Sequence, residues 1–326
     1  MKVLVTGAAG YIGSHATRRL LASGYDVVAL DNFSRGHREA LPAGIDLIET
    51  DLREPGPLAK WLAEKRVECV MHFAAFAYVG ESVEDPLLYY RNNTEGTLNL
   101  LRAVAEAGID RLVFSSTCAT YGEPTQMPIR EETPQNPINP YGASKLFSER
   151  MLKDYAARTP NFSCAALRYF NVAGSAEDGS LGEHHDPETH LIPVILQAAL
   201  GLREKVVVFG TDYPTPDGTC VRDYIHVEDL VGAHEYVMQR LTPGFHVYNL
   251  GLGRGYSVSE IIEAARKVVG RPFRVDYGPR RPGDPPELYA DASKILRELG
   301  WKAEHTDLEA IIASAWRWFQ AHPRGY

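Results

Sequence analysis

Through the first half of the chain, short apolar runs alternate with stretches of helical spacing. The runs fall at residues 2–6, 26–30, 69–73, 111–115 and 163–168. Apolar residues at nearly every position of a run mean burial on both faces, and the intervening helices supply the cover. The pattern predicts an α/β fold of the Rossmann type, a doubly wound parallel sheet. Ligands of such a sheet sit beyond the carboxyl ends of its strands. The first run, Lys2–Thr6, is too short for a membrane span or a secretion signal.

That run leads directly into Gly7-Ala8-Ala9-Gly10-Tyr11-Ile12-Gly13 and a helical stretch over residues 14–23. Strand, glycine turn and helix is the context a phosphate-binding fingerprint requires. Gly7 permits the tight turn, Gly10 lets backbone approach a pyrophosphate, and Gly13 lets helix and strand pack closely. The helix N-terminus adds free N–H groups and partial positive charge. The second run ends in Asp31, at the distance where a carboxylate meets the adenosine ribose hydroxyls. A carboxylate there repels a 2′-phosphate, which favours NAD over NADP. Arg35 reads as a solvated loop arginine. Asp51, after Leu47-Ile48, suits an adenine-edge contact or a helix N-cap. Phe73-Ala74-Ala75 leaves its run with small residues, as backbone passing beneath a cofactor demands. Ser115 and Thr117 end the next run with hydroxyls facing the same crevice.

After Asn171 the character changes. Residues 174–190 are polar and acidic, and the chain then carries more Pro, Arg and aromatics. The expected division is a cofactor domain over 1–171, with 222–250 returning to it, and a smaller α/β substrate domain over 172–221 and 251–326. The cluster His184, His185, Asp186, Glu188 and His190 has the spacing of no standard metal site, so no metal is expected and a solvated loop is the reading.

The chain has 326 residues, 44% of them hydrophobic, enough for one large core or two unequal ones. Net charge is −8 and no basic cluster is visible, which argues against nucleic acid or an anionic membrane as partner. Cys69, Cys118, Cys164 and Cys220 share no C-x-x-C spacing, and reduced core thiols suit a cytoplasmic protein.

The chemistry is concentrated in Pro140-Tyr141-Gly142-Ala143-Ser144-Lys145. If this run opens a helix, Tyr141 and Lys145 lie on one face, four residues apart. A free phenol has a pKa of about 10, and lowering it by ~3 units requires roughly 4 kcal/mol. A desolvated neighbouring cation supplies stabilisation of that kind. Such a tyrosine can take a proton from a sugar or alcohol hydroxyl while the attached carbon gives up hydride.

Together, Thr6 to His15, Leu30-Asp31-Asn32, Val79 to Ser82, Asn92-Asn93 with Gly96-Thr97, Tyr141 to Lys145, Leu167 to Asn171, Val221 to His226, Tyr248 to Gly251 and Pro279 to Asp284 resemble the UDP-glucose 4-epimerase family. That family belongs to the extended short-chain dehydrogenase/reductases. The likeness runs from Lys2 to Tyr326. It implies tightly held NAD and interconversion of UDP-glucose with UDP-galactose. Hydride leaves sugar carbon 4, the 4-keto sugar turns over, and hydride returns to its other face. Tyr141 is the implied base, Lys145 holds the nicotinamide ribose and lowers the Tyr141 pKa, and the Thr117 hydroxyl meets the sugar oxygen. The implied cofactor site comprises Gly7, Gly10, Tyr11, Ile12, Gly13, Asp31, Asn32, Asp51, Leu52, Phe73, Ala74, Ala75, Asn92, Ser115, Tyr141, Lys145 and Tyr169. Tyr169 equally suits a core position.

A sugar that must present both faces cannot be gripped tightly, so binding energy has to come from the nucleotide diphosphate. Arg222 and Arg281 resemble the diphosphate clamp, since a guanidinium fits phosphate oxygens bidentately. Asn171 contacts phosphate or sugar, Asp284 the uridine ribose, and Phe209 stacks on uracil or serves as an ordinary strand residue. His190 and Leu191 flank the sugar phosphate. His190 stands where other members have Asn, and Ala77 where some carry a Lys that reaches the cofactor. Leu288, intermediate between Tyr and Cys at a size-determining position, leaves UDP-N-acetylglucosamine as a possible second substrate. A homodimer is expected by likeness, through helices near residues 92–107 and 141–155.

Three other activities compete. A sugar-nucleotide 4,6-dehydratase needs an acid and base directly after the active-site Thr, where Cys118-Ala119 stand here. A UDP-glucuronate 4-epimerase would reserve a further basic residue for the carboxylate, and none stands out. A non-catalytic NAD sensor would not need both Tyr141 and Lys145.

Overall fold

Val3, Leu4 and Val5 have no exposed surface, so successive residues of the first strand, pointing to opposite faces, are both covered. The computed structural model describes residues 1–281 and 284–326; Pro282 and Gly283, part of the Pro279 to Asp284 run, lie outside the described residues. Among the described residues one sheet holds β1 (Lys2–Thr6), β2 (Asp26–Asp31), β3 (Asp46–Glu49), β4 (Cys69–His72), β5 (Arg111–Thr117), β6 (Ser163–Tyr169) and β7 (Gly244–Leu250). Their spatial order is β3-β2-β1-β4-β5-β6-β7, and every pairing is parallel. This is the doubly wound sheet the apolar runs predict.

Val3, Val5, Val27, Ala29 and Met71 pack with Leu20, Leu230 and Val237, from the helices Tyr11–Ala22 and Val227–Arg240. The alternate residues Leu4, Val28, Val70, Leu112 and Phe114 pack with Leu58, Leu100, Val104 and Leu152 on the other face. β3 and β7 are the edges, and neither is a continuous apolar run. At the edge, Asp46 and Glu49 stay exposed and residues 244–247 are only half-buried. Such strands lack the signature by which the inner strands are read.

A smaller core lies beside the sheet. Ile192, Ile195 and Leu196 of Leu191–Ala199 meet Ile261, Ile262 and Ala265 of Val258–Val269, and Ile311, Ile312 and Trp316 of Leu308–Ala321. Short strands flank it: Val206–Phe209 pairs with Val275–Gly278, and Val221–Arg222 lies between Tyr256–Ser257 and Glu287–Leu288. One expected assignment needs correction. Ile295 and Trp301 join the core under the large sheet, so residues 251–326 do not belong wholly to the smaller unit.

The winding reverses between β1 and β4, and their carboxyl ends open a crevice there. One wall is the helix Pro140–Arg158, fixed to the sheet by a buried ion pair. Arg168 of β6 donates from Nε and Nη2 to Glu149 at 2.9 and 2.6 Å, and its Nη1 donates to the Tyr121 hydroxyl at 2.8 Å. Arg168 and Glu149 are 4% and 3% exposed. Removing one partner strands a buried charge, at a cost of about 3–5 kcal/mol. Urea unfolding of Glu149→Gln, at fixed ligand concentration, should show a loss of that size; a loss below about 1 kcal/mol would mean the pair is solvated.

Candidate active site

The glycine turn shows why no side chain is tolerated at two of its positions. Gly7 has φ +67°, and a Cβ there would meet the Ala74 amide nitrogen at 2.7 Å. A Cβ on Gly13 would lie 1.9 Å from the Gly7 carbonyl oxygen. The helix Tyr11–Ala22 begins at Gly10 with no side-chain cap and no acidic residue in its first turn. Its leading N–H groups therefore keep their capacity for an anion. The Tyr11 hydroxyl donates to the Gly174 carbonyl at 2.6 Å, tying this helix to the wall opposite. A pyrophosphate fits this turn.

Gly7, Gly10, Tyr11, Ile12, Gly13, Asp31, Asn32, Asp51, Leu52, Phe73, Ala74, Ala75, Asn92, Ser115, Tyr141, Lys145 and Tyr169 all line one cleft. Asp31 accepts from the amides of Ala9 and Phe33 at 2.9 and 2.8 Å. Burial raises its pKa, against the lowering effect of those amides. Asp51 accepts from Asn32 at 2.8 Å and from both Nε and Nη2 of Arg53, which hold its pKa down at about 2. Arg35 is not the solvated loop residue expected. It pairs with Glu81 at 2.5 Å and lies over the rings of Phe76 and Tyr78, 4.3 and 4.6 Å from their centroids. An arginine already neutralised is a poor seat for a 2′-phosphate.

Helix Pro140–Arg158 starts where the sequence places it, with the Asn139 side chain accepting from the Gly142 amide at 2.9 Å. Tyr141 and Lys145 thus face the cleft together, with Thr117 across from them. The electrostatics differ from expectation. The Lys145 ammonium donates to the Ser115 carbonyl at 2.8 Å, and burial pushes its pKa down to about 7. Burial also pushes the Tyr141 phenol well above its usual range. Tyr169 and Cys118 raise it further, the Thr117 hydroxyl lowers it, and Lys145 is not among the groups that move it. Burial is the dominant influence on the Tyr141 phenol.

Asn93 has a positioning role that the sequence does not reveal. Its side chain accepts from the Phe76 amide at 2.8 Å and donates to the Phe76 carbonyl and the Ser144 hydroxyl, both at 3.0 Å. It therefore staples the Phe73–Phe76 strip to the helix that carries Tyr141. The backbone around it, Tyr90–Glu95, takes a π-helical turn, a rare form that is frequent at functional sites. The signal was the Asn92-Asn93 pair, although nothing in sequence says which Asn faces inward. Behind the strip, buried His72 bridges the hydroxyls of Thr6 and Thr97 at 2.7 and 3.0 Å.

On the other side of Tyr141, Asn171, His190, Arg222, Asp284 and Leu288 line the same cleft. Arg222 donates to the carbonyls of Val221 and Pro285, both at 2.9 Å, and lies 3.7 Å from Asp284. Three expected contacts are not brought there. Leu191 opens its helix and packs on the smaller core. Phe209 is 40% exposed beneath Arg281, whose guanidinium lies 4.9 Å from the ring centroid. Arg281 pairs with Asp284 at 2.8 Å and lines an adjoining outer depression with Tyr213 and Arg280. Sequence cannot show on which side of Asp284 these groups fall.

The histidine-rich segment is not a solvated loop either. Glu183 and Glu188 are 5% and 6% exposed, and His185 and His190 converge on them. Burial alone lowers a histidine pKa, but the two carboxylates raise His185 to about 9 and His190 to about 10.

Among the described residues, no helix is long and apolar enough to cross a membrane. Residues 3–251 match the profile of the NAD dependent epimerase/dehydratase family. The chain is 48% identical to a UDP-glucose 4-epimerase of Lactobacillus helveticus, over 100% of this chain and 99% of that one. It is 47% identical to a probable UDP-arabinose 4-epimerase of Oryza sativa, over 99% of this chain and 83% of that one. A solved structure of UDP-glucose 4-epimerase from Bifidobacterium longum, in complex with NAD+ and UDP, superposes with a TM-score of 0.95 at 42% identity, covering 100% of both chains. With its sheet, glycine turn and Tyr141/Lys145 cleft, the chain belongs to the NAD dependent epimerase/dehydratase family.

Proposed function

We propose that this protein interconverts UDP-glucose and UDP-galactose with bound NAD, through transient oxidation at sugar carbon 4. The observation that carries the reading is one cleft that joins the glycine turn, the Thr117/Tyr141/Lys145 group and the Arg222/Asp284 side. NAD supplies the centre that takes up hydride and gives it back. Gly7, Gly10 and Gly13 leave room for its pyrophosphate, and Asp31 keeps lone pairs for its ribose hydroxyls. Tyr141 Oη takes the proton from the 4-hydroxyl and later returns it, while Thr117 Oγ1 holds the same oxygen. Lys145 holds the nicotinamide ribose. Arg222 binds the diphosphate and Asn171 the sugar side, so the keto sugar stays loosely held and free to turn. Leu288, intermediate in size between Tyr and Cys, lines the sugar side of the cleft, where side-chain bulk decides between UDP-glucose and its N-acetylated counterpart.

Cys118 and Ala119 line the cleft after Thr117, and the lining carboxylates are Asp31, Asp51, Glu183 and Asp284. None adjoins Thr117 in the chain, which disfavours a dehydratase. We take the cofactor unit as residues 1–171 with 222–250, and the substrate unit as 172–221 with most of 251–326. We further propose a cytoplasmic homodimer. Val83, Leu87 and Phe147 are 62%, 77% and 43% exposed, an apolar surface beside the helix Pro140–Arg158 that a second copy would cover.

Incubation with UDP-galactose and no added cofactor should yield UDP-glucose. Stoichiometric reduced cofactor with an unchanged stereocentre would contradict the proposal. Tyr141→Phe should lower the rate by roughly 10²–10⁴-fold with UDP binding retained; a rate within about threefold of the parent would remove Tyr141 as the base. Phe147→Glu should convert dimer to monomer in sedimentation equilibrium, and a parent that sediments as monomer would end the dimer proposal.

Lys145 gives a pH signature of its own. Its folded pKa of about 7 lies below the unfolded value of 10.5. Burying the charged form therefore costs stability fully below pH ~7, and the cost fades as pH rises toward the unfolded value. In cofactor-free protein, Lys145→Met should be stabilising at pH 6, with the gain vanishing near pH 10. A gain independent of pH would mean that the amine is not desolvated.

A further inference from the structure

Among the described residues, Glu183, His185, Glu188 and His190 each present one oxygen or nitrogen to a common point, all within 4.8 Å of one another. The spacing is tighter than that limit suggests. His185 Nδ1 lies 3.3 Å from Glu183 Oε1 and 3.4 Å from Glu188 Oε2. His190 Nδ1 lies 3.0 Å from Glu183 Oε1 and 2.9 Å from Glu188 Oε1. Ligands held about 2.0–2.1 Å from a tetrahedral ion stand about 3.3 Å apart. Hydrogen bonding accounts for part of the set, since His190 Nδ1 is bonded to Glu188 Oε1 at 2.9 Å. His185 Nδ1 is buried and has no hydrogen bond of acceptable geometry, although two carboxylate oxygens lie close to it.

The surroundings fit a fixed ligand set. The amides of Thr189 and His190 donate to Glu188 Oε1 at 2.7 and 2.8 Å, orienting that carboxylate. The rings of Tyr11 and Tyr78 meet the His185 ring edge-on, with centroids 6.5 and 5.8 Å away. Without metal the two imidazolium rings balance the two carboxylates; on binding, both rings give up a proton, and one divalent cation takes over the balance. Imidazole nitrogen with carboxylate oxygen is the donor mix of zinc and its borderline neighbours, not of calcium or magnesium.

We propose that Glu183, His185, Glu188 and His190 form a structural site for a divalent transition-metal ion of the zinc class. Four protein ligands leave no open position, so the ion does no chemistry on the sugar. It closes the segment from Glu183 to His190 into a loop and fixes it against Tyr11, the first residue of the glycine-turn helix. His190 then serves the ion rather than the sugar phosphate.

The test uses untagged protein, stripped with chelator, dialysed and titrated with Co²⁺. One equivalent should bind and give the intense visible absorption of tetrahedral cobalt with N and O ligands. Zn²⁺ should displace it and raise the melting temperature. Glu183→Gln and His185→Asn, each checked for fold by circular dichroism, should weaken cobalt binding by at least about tenfold. Absence of stoichiometric binding, a weak octahedral spectrum, or a thiolate charge-transfer band would overturn the proposal. So would unchanged affinity in either folded variant. If neither variant folds, the parent's cobalt spectrum decides alone.

Discussion

Desolvation of the Tyr141/Lys145 pair is the constraint on which the rest of this molecule turns. A cleft that excludes water strengthens every electrostatic interaction within it. The same exclusion drives the phenol away from ionisation and the amine toward neutrality. A phenol whose pKa is raised is scarcely ionised at neutral pH, so little of the basic form is present. The protein alone has therefore assembled the positions for proton transfer without the charge that would tune them. On the proposed function, that charge arrives with the oxidised nicotinamide, so cofactor binding and activation of the base become one event.

The rest of the fold can be understood as holding these positions still. The reversal of winding between β1 and β4 opens the crevice, and close backbone packing at Gly7 and Gly13 gives it a floor. Asn93 and His72 fix the strip that passes across it, while Glu149 and Arg168 anchor the tyrosine helix to the sheet. The smaller core carries the side that must hold a diphosphate yet let a sugar turn. Its side of the cleft combines Arg222, Asp284 and His190 with the apolar Pro285 and Leu288.

What was legible in the sequence was local. The inner strands announce themselves because burial on both faces demands unbroken apolar runs, and β3 and β7 escape because edge strands do not. Tyr141 and Lys145 could be paired on paper because a helix brings positions four apart together. Phe209, Arg281 and Leu191 could not be placed, since which side of a loop faces a cleft is decided by tertiary packing. The seat of Arg35 is hidden from sequence for the same reason: its partners, Glu81, Phe76 and Tyr78, lie more than 40 positions along the chain. The histidines and Glu188 of the 183–190 segment stand out in the sequence, but their convergence with Glu183 in a half-buried cluster does not, because the segment is irregular and ligand-spacing rules presume regular elements.

The most direct measurement is the ionisation of Tyr141 itself, followed by NMR of ring-labelled tyrosine in the parent and in Tyr141→Phe, with and without NAD. Without cofactor, the assigned resonance should titrate above the free-phenol value of about 10; with NAD bound it should titrate well below it. A Tyr141 already ionised near neutrality in the cofactor-free protein, or one that NAD leaves unmoved, would contradict the account.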